Sequence, residues 1–150
     1  MPSPITEVLR IIAEDWVATA PPDHAERPYA YASDEAVDPE DDLAHRSFWF
    51  ELERGEPVSE TDDMALVPYT IRAILVLDSD GYTPGEFTEA IANEPAALMR
   101  LVETRSDWTD GNTVEGIWFV ETVDVTPEPV SEDSTAMLIV MSLNARVGES

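Results

Sequence analysis

Residues 66–77, Leu-Val-Pro-Tyr-Thr-Ile-Arg-Ala-Ile-Leu-Val-Leu, set the tightest limit on how this chain folds. Tyr69, Ile71, Ala73, Leu75 and Leu77 recur at every second position, the period of a strand and not of a helix. Pro68 cannot donate to a ladder, so the start of that strand is expected at an edge or a bulge. Three more segments read as strands. In residues 45–53, Phe48, Phe50 and Leu52 face one way and Ser47, Trp49, Glu51 and Glu53 the other. In residues 114–125, Ile117, Phe119, Val123 and Val125 oppose Gly116, Trp118, Val120 and Thr122. Residues 136–145 are apolar on both phases, which predicts a sheet covered on both faces.

Two helices complete the pattern. Ser3 caps the first and Pro4 occupies its first position, where a missing N–H costs nothing. Ile5, Val8, Leu9, Ile12 and Trp16 follow helical spacing, and Pro21-Pro22 is the expected stop. Thr83-Pro84-Gly85-Glu86 is a capping box that opens the second helix. That helix carries Phe87, Ile91, Leu98, Leu101 and Val102, and Pro95 is expected to kink or split it. The short links between strands imply hairpins. The expected architecture is therefore α+β: two helices on a mainly antiparallel four-stranded sheet, in the order α-β-β-α-β-β, forming one domain of 150 residues. Residues 23–44 read as a long acidic loop, with a short strand near 28–33. The links at residues 54–63 and 127–133 are expected to project from the sheet ends.

Charge limits the partners. The chain holds 32 acidic and 8 basic residues, all of the latter arginine, for a net charge of −24. A pI near 4.1 argues against a duplex-binding face or an anionic membrane surface, because both need cationic contacts. Such a charge strains the compact state at ordinary salt, whereas at molar salt the Debye length falls to about 3 Å. An excess of Asp and Glu without Lys fits a protein of a salt-in halophile, or of a virus infecting one; a strongly acidic mesophile protein is the alternative. No apolar run reaches the roughly 18 residues of a membrane span, and the first residues lack the basic region of a signal peptide.

Chemistry has little purchase here. With no cysteine there is no thiolate metal site and no thiol nucleophile. His24 and His45 lie in or beside the acidic loop without metal-ligand spacing. Gly-x-Ser-x-Gly, Walker A and GxGxxG motifs do not occur, so neither a catalytic site nor a cofactor is expected. Residues 78–87 imitate part of a calcium loop. However, placing Gly81 at the sixth position puts Val76 at the first and Phe87 at the twelfth, both apolar, so no metal site is expected. A strand-to-helix turn explains the same residues.

Trp49 and Trp118 lie on the phase opposite the core of their strands. They either pack under a helix or form a patch for another subunit, where Trp and Arg are typical anchors. Arg46 and Arg72, in strands among many carboxylates, pair within the fold or across subunits. Arg46, Trp49, Arg72 and Trp118 are thus the candidate subunit-interface residues.

The arrangement resembles the tail terminator and neck (head-tail joining) proteins of long-tailed viruses. The resemblance is carried by the amphipathic helix from Ile5, by His45-Arg46-Ser47-Phe48-Trp49-Phe50-Glu51-Leu52, and by Thr70-Ile71-Arg72-Ala73-Ile74-Leu75-Val76-Leu77. The helix from Pro84 and the two terminal strands complete it. It covers most of the chain as element order and hydrophobic pattern, and the acidic loop departs from it by its length. It implies a homo-oligomeric ring, most simply a hexamer, located in the virion after assembly in the host cytoplasm. Such a ring caps the tail tube, contacts the tube protein and the head-side connector, and passes DNA through its lumen without specific binding. The alternative from another class is a cytoplasmic small-molecule-binding or hydrolytic α+β domain of a halophile.

Overall fold

A computed structural model describes residues 3–19, 29–32, 45–60, 65–105, 117–129 and 135–149. Helix α1 (Pro4–Val17) starts as its sequence dictates, with the Thr6 N–H donating to Ser3 Oγ at 3.4 Å. It ends at Val17, ahead of Pro21-Pro22, which fall outside the described residues together with most of the acidic segment. Strand β1 (Ala30–Tyr31) lies within the short strand expected near 28–33 and precedes β2 (Ser47–Arg54), β3 (Ser59–Glu60) and β4 (Ala65–Asp78). Helix α2 (Pro84–Thr104) is followed by β5 (Ile117–Pro129) and β6 (Ala136–Glu149). The capping box of α2 is complete: the Thr83 N–H donates to Glu86 Oε1 at 2.9 Å and the Glu86 N–H to Thr83 Oγ1 at 3.2 Å. Pro95 does not split this helix, which continues through it as 21 residues.

The strands form one mixed sheet in the spatial order β1-β2-β4-β6-β5, with β3 pairing the first residues of β4. This corrects the expected four antiparallel strands. Two short strands join the sheet, and β1 runs parallel to β2 while the other pairs are antiparallel. Two-residue strands are too short for any periodicity to show in sequence. Residues 61–63 of the link after β2 lie outside the described residues; the described part of that link does not project as expected. Its residues stay against β4, through the Gly55 N–H to Pro68 carbonyl bond at 2.8 Å and the Val58 N–H to Leu66 carbonyl bond at 2.9 Å. A Cβ on Gly55 would lie 3.0 Å from Pro68 Cγ and 3.1 Å from the Pro68 carbonyl oxygen, tighter than ordinary contact, so this close crossing favours glycine. Pro68 thus lies inside the sheet, opposite the break between β2 and β3, where its missing N–H interrupts nothing.

Both helices pack on one face of the sheet, so neither supplies the cover expected on the other. On the helix-covered face, Ile71, Ala73, Leu75 and Leu77 of β4 and Ile139, Met141, Leu143, Ala145 and Val147 of β6 are fully buried with Val8, Ile12, Trp16, Leu98 and Val102 of the helices. The Trp16 indole meets Phe48 edge-on at 5.3 Å and donates to the Leu98 carbonyl at 3.0 Å, locking α1, β2 and α2 together. Among the described residues no helix packs on the opposite, distal face, nor is any long and apolar enough to cross a membrane. Strand β5 departs from simple alternation. Register shifts between Ile117 and Phe119 and between Thr122 and Asp124 reverse its phase twice, so Ile117 and Val120 both reach the helix-covered core. Its described span begins at Ile117, later than the expected 114, and extends to Pro129.

Candidate interaction surface

Strand register lays out the distal face in rows that run across β2, β4, β6 and β5. Trp49 lies opposite Ile74, Ile74 opposite Val140, and Val140 opposite Thr126. The next row is Glu51, Arg72, Ser142 and Asp124, and beyond it come Glu53, Thr70, Asn144 and Glu121. On the other side of the Trp49 row, Val76 pairs with Leu138 and Leu138 with Glu128. The face therefore divides along the strands. One half is apolar, built from Trp49, Ile74, Val76, Ala136, Leu138 and Val140, with Ala32 after β1 packing against it. The other half is polar and carries the exposed Arg72.

An open concavity of about 420 Å³ lies on this face. Its floor is Arg72, Ile74, Leu138, Val140 and Ser142, and its banks are Trp49 and Glu51 on β2 and Asp124, Thr126 and Glu128 on β5, so three carboxylates face one cation. Trp49 and Ile74 are largely buried within one subunit, while Leu138 and Val140 are half-exposed. Trp49 thus serves the fold itself, and the apolar area left for a partner is that of Leu138 and Val140. Trp118 lies in β5 at the first register shift; its side chain falls outside the described residues.

Arg46 has a different place from its three companions. It is fully buried, and its Nε and Nη2 donate to the two carboxylate oxygens of Glu94 at 2.8 and 3.0 Å. Tyr29 donates to the same carboxylate at 2.6 Å, and Arg46 Nη2 reaches the Tyr82 hydroxyl at 3.2 Å. Of the two pairings that sequence left open, Arg46 makes the one within the fold. The cause is local: Arg46 has φ of 67°, a left-handed conformation that costs a non-glycine residue about 1–2 kcal/mol and turns its side chain under β2 toward α2. The paired hydrogen bonds offset that strain and the desolvation of both charges. Burial foremost, and then the bond to Glu94, push the Tyr29 hydroxyl well above its ordinary pKa.

Glu94 escaped the sequence reading, although a signal for it exists. It lies three residues after Ile91 and four before Leu98, on the apolar stripe of α2, where a lone carboxylate needs a buried partner. The segment that imitates a calcium loop is a structural turn. Asp78 Oδ1 accepts from the Asp80 N–H at 3.0 Å and from Thr135 Oγ1 at 2.7 Å, and Gly81 adopts φ of 87°. Glu86 is committed to the helix cap. His45 accepts at Nδ1 from the Asp78 N–H at 3.0 Å and contacts the Tyr82 hydroxyl through Nε2 at 3.3 Å.

No protein-family model matches the chain, and no curated protein matches it in sequence. A solved structure does share the fold. It is a chain of a structure described as "Virion of native gene transfer agent (GTA) particle", superposing with a TM-score of 0.55 at 16% identity. The match covers 98% of this chain and 92% of that one, so the whole arrangement of helices and sheet is common to both.

Proposed function

We propose that this chain is a structural protein of a virus-like particle: a tail terminator whose ring caps the tail tube and joins it to the head-side connector. The observation that carries this reading is the likeness to a virion chain over nearly the full length of both molecules. The ring, most simply of six copies, follows from the family resemblance noted in the sequence. A head-to-tail contact gives each subunit two different surfaces, and the ring closes when the rotation between neighbours closes. The sheet offers two unlike margins for such a contact: β2 with exposed Leu52, and β5 with exposed Val123 and Val125. Of the interface candidates, Arg72 presents an exposed cation on the distal face, and Trp49 backs the apolar half of that face. Trp118 is kept as a candidate on its strand position. A net charge of −24 lets DNA cross a lumen without sticking and matches a halophilic host in whose cytoplasm assembly would occur. In this role the chain is a scaffold and carries out no catalysis.

The test is functional. Purified chain is added to polymerising tube protein at molar salt, and tube lengths are measured by electron microscopy, with and without the connector protein. Tubes that stop growing and carry a cap at one end, to which connector then binds, are the expected result. Tubes that elongate unchanged, beside a chain that stays monomeric, would contradict the role and favour a small-molecule-binding or hydrolytic domain.

A further inference from the structure

The distal concavity has the width, floor and charge of a seat for a single helix. Its banks are β2 and β5, three inter-strand spacings apart, or about 14 Å. An α-helix with its side chains is about 10–12 Å across. The half-exposed Leu138 and Val140, backed by Ile74, form an apolar strip along the strand direction. From Ala136 to Val140 that strip is about 14 Å long, between two and three helical turns. Carboxylates stand on both sides of it: Glu51 on one bank, Asp124 and Glu128 on the other. We propose that this groove docks an amphipathic helix of a different protein, with aliphatic side chains on its inner face and Lys or Arg along both flanks.

Charge selects that occupant. A second copy of this chain brings net charge −24 and no lysine at all, so it offers few cations for two acidic banks. Nucleic acid is repelled by the same carboxylates and finds no use for the apolar floor. A basic amphipathic helix satisfies floor and banks together, as helices do in other apolar grooves. Arg72 lines the same concavity between Glu51 and Asp124, where it ends the apolar strip and leaves the lining with three carboxylates to one cation. The proposal stands apart from the ring, since the groove belongs to one subunit.

The experiment uses the full chain and three synthetic helical peptides labelled for fluorescence anisotropy, at about 0.15 M and about 1 M salt. One has a leucine stripe flanked by lysines, one has the same composition scrambled, and one replaces every lysine with glutamate. The striped lysine peptide is expected to bind in the micromolar range and the scrambled one at least about tenfold more weakly, while the glutamate peptide does not bind. Asp124→Asn with Glu128→Gln should weaken the striped peptide about tenfold and flatten its salt dependence. Val140→Glu, checked for folding by circular dichroism, should abolish binding; Ser142→Trp, which fills the concavity, is the second obstruction should Val140→Glu not fold. Equal binding of striped and scrambled peptides, or binding untouched by either obstruction, would overturn the groove. So would self-association that Ser142→Trp abolishes while the peptide fails to bind. Subunit mass, measured in parallel, reports on the ring, so each idea fails on its own observable.

Discussion

The two faces of the sheet are built from alternate residues of the same strands, yet they meet opposite conditions. On β4, Ile71, Ala73, Leu75 and Leu77 are fully buried beneath two helices. Their neighbours on the other face, Thr70, Arg72, Ile74 and Val76, pass from polar to apolar along the strand. The helix-covered face is apolar along β4 and β6, and the charged groups beneath the helices, Arg46 and Glu94, are paired with each other. The distal face is apolar over half its length, where Trp49, Ile74, Val76 and Ala136 form a small buried cluster edged by the partly buried Leu138 and Val140, and acidic on both banks. Apolar area grouped in this way, with polar residues around it, is the pattern of association surfaces and not of scattered exposure. The lesson is that strand periodicity specifies two surfaces, and that the second is read from its departures from an ordinary solvated face.

Four measurements sharpen that contrast, from the largest effect to the smallest. Glu94→Ala leaves Arg46 charged and buried without its carboxylate and should cost about 3–5 kcal/mol in denaturant unfolding. By comparison, Arg10→Ala, which breaks the exposed contacts to Glu7 and Glu14 at 2.6 and 2.8 Å, should leave the unfolding midpoint unchanged. Equal effects would show that the Arg46 network is not a structural anchor.

Leu143→Ala beneath the helices should cost about 2–5 kcal/mol. Leu138→Ala on the distal face should cost clearly less, because that side chain is already half-exposed. The same denaturant curves decide it, and matching losses would mean that the distal face is core after all.

Alkaline pH probes the helix-covered side alone. The folded chain holds the Tyr29 proton after the unfolded chain has lost its own near pH 10, so above about pH 10 the unfolded state binds fewer protons and stability falls. Burial foremost holds up the Tyr31 and Tyr69 hydroxyls too, so Tyr29→Phe should reduce the slope without removing it. An unaltered slope in Tyr29→Phe would place the pH dependence elsewhere. Salt acts on the whole surface. The melting temperature should rise between low and molar NaCl as screening relieves a net charge of −24, and a flat or falling value would remove the halophilic reading.

Much of this fold is legible in sequence because local rules govern it. The caps at Ser3 and Thr83 are set by residues within three positions, and strands β2 and β4 by period two. Phe48 and Trp49 reveal their opposite faces in the same way. What stays hidden depends on distant partners. Alternation shows that Trp49 and Phe48 diverge, but not that both helices settle on the Phe48 side. The register shifts in β5 reverse the phase of Val120 and place Glu121 and Asp124 on the same, distal face, without a glycine or proline to announce them. Arg46 and Glu94 are 48 residues apart, and only the stray carboxylate on an apolar helical stripe hints at their pairing. Of the candidate interface, the facing of Trp49 follows from strand period, whereas the inward turn of Arg46 follows from one left-handed residue that no pattern betrays.

Assembly into a ring is tested most directly by the mass of the particle in solution. Native mass spectrometry or sedimentation of the chain prepared in molar salt, joined to negative-stain images of the same sample, should show a closed ring with a central hole, most simply of six subunits. A monodisperse monomer at high protein concentration, which neither tube nor connector protein recruits into a ring, would contradict it.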